Sequence, residues 1–172
     1  LRDCYVGGTN GSNGDGAGVY CGAGGTLSLE RVRMRGALGV GVVGTGTCVI
    51  DGREVVIDGT QPKKLNGDLG MGLFATGAAQ LSLRQVRLHG NHVAGLGASG
   101  NGVKANVFGL WVQDSRPPPK QPDTGMGVLI NQGAQLVLSA ARITGNRAAG
   151  VAVGSTASAV LRGALVDHTE GD

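Results

Sequence analysis

The stretch GMGLFATGAAQLSLRQVRLHGN, residues 70–91, decides the fold because the chain repeats it at residues 125–146 as GMGVLINQGAQLVLSAARITGN. Ten of the 22 paired positions are identical, and several mismatches exchange one apolar residue for another. The two copies begin 55 residues apart. Self-similarity at a fixed spacing is typical of repeat architectures, in which each unit packs mainly against its neighbours.

Each copy contains two short stretches in which apolar and polar residues alternate. In the first copy these are Leu81-x-Leu83 and Val86-x-Leu88, followed by a Gly-Asn turn. Such alternation is typical of half-buried strands. The pattern occurs seven times, and the positions equivalent to Leu88 are Val6, Met34, Ile57, Val112, Ile143 and Val166.

The spacing of these seven markers defines the repeat. Successive markers are 28, 23, 31, 24, 31 and 23 residues apart. A unit of about 23 residues therefore alternates with a longer one, and the extra residues fall at one corner. The inserts are residues 7–15, 61–69 and 116–124.

A third short strand follows the turn in each unit and has the form Gly-apolar-x-apolar. Examples are Val19–Cys21, Leu73–Ala75, Val128–Ile130 and Val151–Val153. Three short strands per unit, with no helical period, predict an all-β parallel solenoid over one domain, residues 1–172. Leucine-rich repeats need a spacing that is absent here, and propeller blades are longer.

The alternation also predicts which residues face the core. One inward row is Leu1, Leu29, Gly52, Leu83, Val107, Leu138 and Leu161. The other inward row is formed by the seven markers. A polar ladder is expected at the turns, from Asn91, Asn146, Thr60, Ser115 and Thr169.

Composition limits the remaining classes. The 34 glycines and 3% aromatic residues predict many turns around a thin aliphatic core. The net charge of +3 is spread over single residues, which indicates a solvated surface rather than a nucleic-acid site. No apolar run is long enough to span a membrane. Cys4, Cys21 and Cys48 lack CxxC spacing, so buried free thiols are expected rather than a disulfide or zinc site.

The units LSLRQVRLHGN and LVLSAARITGN resemble right-handed parallel β-helix repeats of the pectate-lyase-like superfamily. The alternation of short and long coils, with loops such as DSRPPPKQPDTGMGV, resembles repetitive secreted or surface proteins of myxobacteria and related bacteria. The resemblance covers essentially the whole chain. It implies a right-handed parallel β-helix and an extracellular or cell-surface location, but no particular activity, since the superfamily includes lyases, hydrolases, adhesins and scaffolds.

An outward row just past the second strand contains Arg35, Asp58, His89, Gln113, Thr144 and Asp167. Asp58 is expected beside His89 and Arg35 on adjacent coils. If the protein is a polysaccharide lyase, these three residues are its candidate catalytic site. A plain ladder of alternating charges, pairing Asp58 with Arg35 and His89, explains the same row. A hydrolase needs paired aspartates, and Asp51 and Asp58 are predicted on different sides.

A second outward row is a candidate ligand surface. It reads Tyr5, Arg33, Val56, Arg87, Trp111, Arg142 and Leu165. Aromatic rings and arginines on a flat sheet suit sugar rings with carboxylate or sulfate groups, because arginine forms bidentate contacts. The alternative is that Trp111 packs on the neighbouring arginine stems.

The glycine-rich segment at residues 10–16 alternates oxygen-bearing side chains as calcium loops do. It carries one carboxylate, so the sequence favours a surface turn, with no cofactor or metal. The ends lack caps, which suggests a segment of a longer chain or ends covered by flanking segments or other subunits.

These observations favour a non-enzymatic extracellular scaffold or adhesin-like stalk. Its expected partners are a glycan or a cell-surface protein, with neither nucleic acid nor a membrane span. A polysaccharide-active lyase or hydrolase is the alternative.

Overall fold

The computed structural model describes residues 1–8, 16–62, 69–120 and 122–167, and over these residues the chain is all-β without a helix. The strands are β1 (Arg2–Gly7), β2 (Gly16–Cys21), β3 (Thr26–Arg35), β4 (Gly39–Gly44), β5 (Val49–Asp58), β6 (Met71–Thr76), β7 (Gln80–His89), β8 (Ala94–Ser99), β9 (Lys104–Gln113), β10 (Met126–Asn131), β11 (Gln135–Ser139), β12 (Arg142–Thr144), β13 (Val151–Val153), β14 (Ser158–Arg162) and β15 (Leu165–Asp167). The predicted all-β class is confirmed.

The strands form two parallel sheets, and the chain alternates between them. The first sheet has the order β1-β3-β5-β7-β9-β11-β14, with β12 pairing β9 and β15. The second sheet has the order β13-β10-β8-β6-β4-β2. Each repeat thus adds a strand to the first sheet and a shorter one to the second, beside the strands of the preceding repeat.

Strand pairing confirms the predicted registers. Leu29 pairs with Gly52, Gly52 with Leu83, and Leu83 in turn with Val107. The row of markers pairs in the same way, from Val6 through to Val166. Residues at inward positions are buried in the middle repeats, but Leu1 is 53% exposed and Leu161 44% exposed, because β1 and β14 each have a described neighbour on one side only.

The core is thin and aliphatic, as composition predicted. Its largest fully buried side chains are leucine, isoleucine and methionine, and no aromatic residue of the described part belongs to it. One continuous cluster runs through the stack, from Cys21 to Ile143. Each of the middle repeats therefore buries its inward residues against the repeats on both sides.

The first two predicted strands of each unit form one ten-residue strand in β3, β5, β7 and β9. A residue with left-handed backbone lies in the middle of each, such as Arg31 with φ 50° and Gln85 with φ 56°. This residue bends the strand, so both Leu83 and Val86 point into the core although they are three positions apart. In the later repeats the two halves are separate strands.

The Gly-apolar-x-apolar motif of the second sheet has a steric cause. A Cβ on Gly41 would lie 2.5 Å from the carbonyl oxygen of Gly72 and 2.5 Å from the Ile57 side chain. A Cβ on Gly95 would lie 2.4 Å from the Val112 side chain. The glycines at this position let the second sheet approach the buried marker residues of the first.

The polar ladder is confirmed at four turns. Thr60, Asn91, Ser115 and Asn146 are fully or almost fully buried. The backbone N–H of Thr60 donates to Asn91 Oδ1 at 3.1 Å, and that of Ser115 donates to Asn146 Oδ1 at 3.1 Å. Each asparagine therefore satisfies the turn of an earlier repeat. Thr169 lies outside the described residues.

The expectation of free thiols is wrong for two of the three cysteines. Cys21, at the end of β2, forms a disulfide with Cys48, just before β5, with the Cα atoms 5.9 Å apart. Cys4 is free and half-buried. The pair was missed because it joins residues 27 apart, which come together only when one repeat stacks on the next.

The three inserts all connect a strand of the first sheet to a strand of the second, so they emerge at one corner, as predicted. Residues 9–15, 63–68 and 121 within them lie outside the described part, as does most of the candidate calcium segment. Within the described part of the chain, no helix has the length and apolar character needed to cross a membrane.

Candidate functional site

Both predicted outward rows are found on the half of the long strands that leads to the corner with the inserts. In one row Asp58 pairs in register with Arg35 and with His89. In the other, Trp111 pairs in register with Arg87 and with Arg142. The two rows lie two residues apart along each strand, so their side chains share one surface, which we call the arginine face.

The partner of Asp58 differs from the expected one. Arg33 Nη2 donates to Asp58 Oδ2 at 2.9 Å, whereas the ladder was expected to use Arg35. Arg33 lies diagonally across from Asp58, at a distance that a long side chain leaning along the strand can span. The predicted neighbour His89 is found, with Nδ1 3.9 Å from Asp58 Oδ1.

A cavity of about 370 Å³ lies over these residues. It is lined by Arg33, Arg35, Val56, Asp58, Arg87 and His89. Three guanidinium groups face one carboxylate there, so the cavity carries excess positive charge at neutral pH. Its size and charge suit a carboxylate or sulfate group attached to a larger molecule.

Trp111 lies between two arginines from the strands on either side. The Arg87 Cζ is 4.6 Å from the centroid of the indole ring, and the Arg142 Cζ is 5.9 Å from it. Trp111 remains 38% exposed. The indole ring of Trp111 therefore holds the two guanidinium groups by cation–π attraction.

Tyr5 is not brought into this group. It is 64% exposed on β1, four strands or roughly 19 Å from Trp111 at the usual strand separation. Its ring lies over Gly7, where a Cβ would be 2.7 Å from the tyrosine Cε1. Tyr5 and Trp111 therefore cannot contact the same small group.

Asp114 is a site residue that sequence reasoning missed. Its Oδ2 lies 3.3 Å from His89 Nε2, so the imidazole has Asp58 on one side and Asp114 on the other. The equivalent turn position is glycine with positive φ in five other repeats, at Gly8, Gly36, Gly59, Gly90 and Gly145, and in the last repeat it is His168, outside the described residues. Asp114 keeps this conformation, with φ 57°. An aspartate in a column of glycines was the signal available in the sequence.

A separate group of charges lies near the start of the chain. Arg31 Nε donates to Asp3 Oδ1 at 2.5 Å, and Arg2 Nε donates to Glu30 Oε2 at 2.6 Å. The hydrogen bond from Arg31 holds the pKa of Asp3 below its usual value, and that from Arg2 does the same for the pKa of Glu30. The Asp3 and Glu30 contacts raise the pKa of Arg31. Arg2, Asp3 and Arg31 are exposed and Glu30 is half-buried, so these groups form a surface network.

Metal binding has no support in the described ranges. No group of three or more histidine, cysteine, aspartate or glutamate residues is placed there to hold an ion. The arrangement around His89 is instead that of a base or acid oriented by carboxylates, next to guanidinium groups that attract an anion.

Comparison with protein-family models, with curated proteins and with solved structures found no match to this chain.

Proposed function

We propose that the chain is a right-handed parallel β-helix that acts as an extracellular scaffold and binds an acidic glycan through its arginine face. The observation that carries the binding proposal is the ordered array of Arg87, Trp111 and Arg142 beside the positively charged cavity. Guanidinium groups fixed on an aromatic ring lose little freedom when they bind carboxylate or sulfate groups.

Three further features support the scaffold. The chain passes in turn through each sheet and pairs parallel with its preceding repeat, as a β-helix does. Connections between parallel strands are right-handed in nearly all proteins, which favours the right-handed form that the resemblance to pectate-lyase-like repeats implies. The Cys21–Cys48 disulfide suits an oxidising compartment, such as the outside of a bacterial cell.

A matched pair of variants on one strand tests the glycan proposal. Arg87→Gln removes a guanidinium group from the arginine face, and Arg84→Gln removes one from the first half of β7. Calorimetric titration with oligosaccharides of heparin, chondroitin sulfate and polygalacturonate should show binding that Arg87→Gln weakens about tenfold or more. Arg84→Gln should leave it unchanged, and added salt should weaken it.

Two outcomes would contradict this proposal. One is that the unaltered protein binds none of these acidic oligosaccharides. The other is that Arg84→Gln and Arg87→Gln weaken binding equally, which would indicate a general charge effect rather than a site. Circular dichroism of each variant checks that the fold is retained.

A second candidate function is cleavage of an acidic polysaccharide, favoured by the position of His89 between Asp58 and Asp114. A lyase needs a base near the proton to be removed and positive charge near the uronate carboxylate, and the cavity places arginines and His89 together. Incubation with polygalacturonate, followed by absorbance of unsaturated products and by assay of reducing ends, distinguishes the two functions. Turnover that His89→Gln abolishes would replace the binding proposal by the enzymatic one.

A further inference from the structure

A second surface lies on the other half of the long strands, before the bend, and faces away from the core. Its central row has mostly short side chains paired in register: Ser28, Asp51, Ser82, Asn106 and Val137. The row two residues further along contains longer ones: Glu30, Arg53, Arg84 and Phe108. On the other side lie Val49, Gln80, Lys104 and Gln135. In the middle repeats Ser82 and Asn106 lie between longer side chains, which are Arg84 and Phe108 on one side and Gln80 and Lys104 on the other. We call this surface the strand groove.

Three cavities join to form this groove. Their volumes are about 370, 160 and 200 Å³. The first and second share Ser82 and Arg84, and the second and third share Asn106 and Val137. The groove runs across the strands from β3 to β14, roughly 24 Å for five steps between neighbouring strands.

The groove differs in charge from the arginine face. Its charged lining residues are Glu30, Asp51, Arg53, Arg84 and Lys104, so acids and bases nearly balance. Around them stand hydroxyl and amide groups, including those of Ser82 and Asn106. Such a lining suits a ligand without net charge that both donates and accepts many hydrogen bonds.

Phe108 supplies the apolar part of the groove. It is 56% exposed, and it lines the middle cavity together with Arg84 and Asn106. An exposed aromatic ring flanked by hydrogen-bonding groups fits a sugar ring, which has an apolar C–H face and a polar rim of hydroxyls. The three cavities follow one another across the strands, so a ligand that occupies them all is an elongated chain.

We propose that the strand groove binds a linear, neutral, β-linked polysaccharide that lies across the strands, with one sugar ring stacked on Phe108. This site is independent of the acidic-glycan site, because it uses other side chains on the other half of the long strands. The shape, the balanced charge and the exposed ring all point to this one occupant.

The test titrates the whole chain with neutral hexasaccharides, namely cellohexaose, xylohexaose, mannohexaose and laminarihexaose. At least one should bind. Phe108→Ala should weaken that binding about tenfold through loss of the stacking surface, whereas Phe108→Tyr should keep it. Ser82→Trp, which fills the floor, should also weaken it. Trp111→Ala, on the arginine face, should have no effect.

The proposal is overturned if none of the four neutral hexasaccharides binds, or if Phe108→Ala binds as well as the unaltered protein. It is also overturned if Trp111→Ala abolishes neutral binding while Phe108→Ala does not, since that result would move the site to the arginine face. Phe108 and Ser82 are both exposed, so circular dichroism should show that each variant folds. Loss of acidic-glycan binding in Arg87→Gln tests the other site separately.

Discussion

The inner and outer sides of the long strands are built from the same segments and follow different rules. On the inner side, Leu83 lies between Gly52 and Val107, and all three are buried. On the outer side, Arg87 lies between Val56 and Trp111, a row with no common chemistry. An inner residue must fit the repeats above and below it, whereas an outer residue meets solvent. Regularity in this chain therefore indicates the fold, and departures from regularity indicate candidate sites.

The inner and outer sides should differ most in how they tolerate a charge. A charge on the inner side is expected to cause the largest loss of stability. Leu83→Asp should leave the chain unfolded, because an unpaired buried carboxylate costs several kcal/mol, which is of the order of total domain stability. Leu83 is 2% exposed at the centre of the stack. Far-ultraviolet circular dichroism and thermal melting measure the outcome.

Arg84→Asp is the matched control, one position away on the outer side of the same strand, where the new carboxylate would lie opposite Arg53. It should change the free energy of unfolding by less than about 0.5 kcal/mol, as expected for an exposed substitution. A Leu83→Asp protein that melts like the unaltered chain would show that the inner side is not a packed core.

A smaller effect is expected from the disulfide, which also lies on the inner side. Replacing Cys21 and Cys48 together by alanine should lower the free energy of unfolding by about 3 kcal/mol, as for other loops of this size. Thermal melting with and without reductant measures the loss, and Cys4→Ala serves as the control for the reductant. Free thiols at positions 21 and 48, found by alkylation and mass spectrometry of the native protein, would contradict the pairing.

Much of the fold could be predicted from the sequence because each repeat has its own turns and packs mainly on the neighbouring repeats. Leu88 and its equivalents have period-two neighbours and are followed by a turn, which is Gly-Asn after Leu88 and Ile143, and those features place them in the correct register. The bend inside each long strand was not predicted. Nothing in the sequence distinguishes the residues at the bend, such as Arg31 and Gln85, from ordinary strand residues.

The candidate site was predicted less completely because it depends on contacts between side chains. The rows containing Asp58 and Trp111 were placed correctly. The choice of Arg33 over Arg35 as the partner of Asp58 depends on how a flexible side chain leans, which register does not determine. The Cys21–Cys48 pair depends on the end of β2 meeting the residue before β5 in the next repeat.

The smallest predicted effect concerns Asp114, an outer residue at a turn position where most repeats have glycine. Asp114→Gly should be more stable than Asp114→Ala by about 1 kcal/mol, because a Cβ is unfavourable in left-handed backbone and glycine has none. Both variants lack the carboxylate near His89, so their difference isolates the backbone term. Chemical denaturation of the two proteins measures it.

Equal stability of the two variants would show that residue 114 does not keep its positive φ in solution. Asp114 would then not be a strained residue at a glycine position. If glycine is the more stable choice, the aspartate occupies this turn at a cost in stability. Strained residues that persist in this way cluster at functional sites. A change in acidic-glycan binding in Asp114→Gly, with the fold retained, would then assign the cost to the arginine face, because the carboxylate is placed 3.3 Å from His89 beside the cavity.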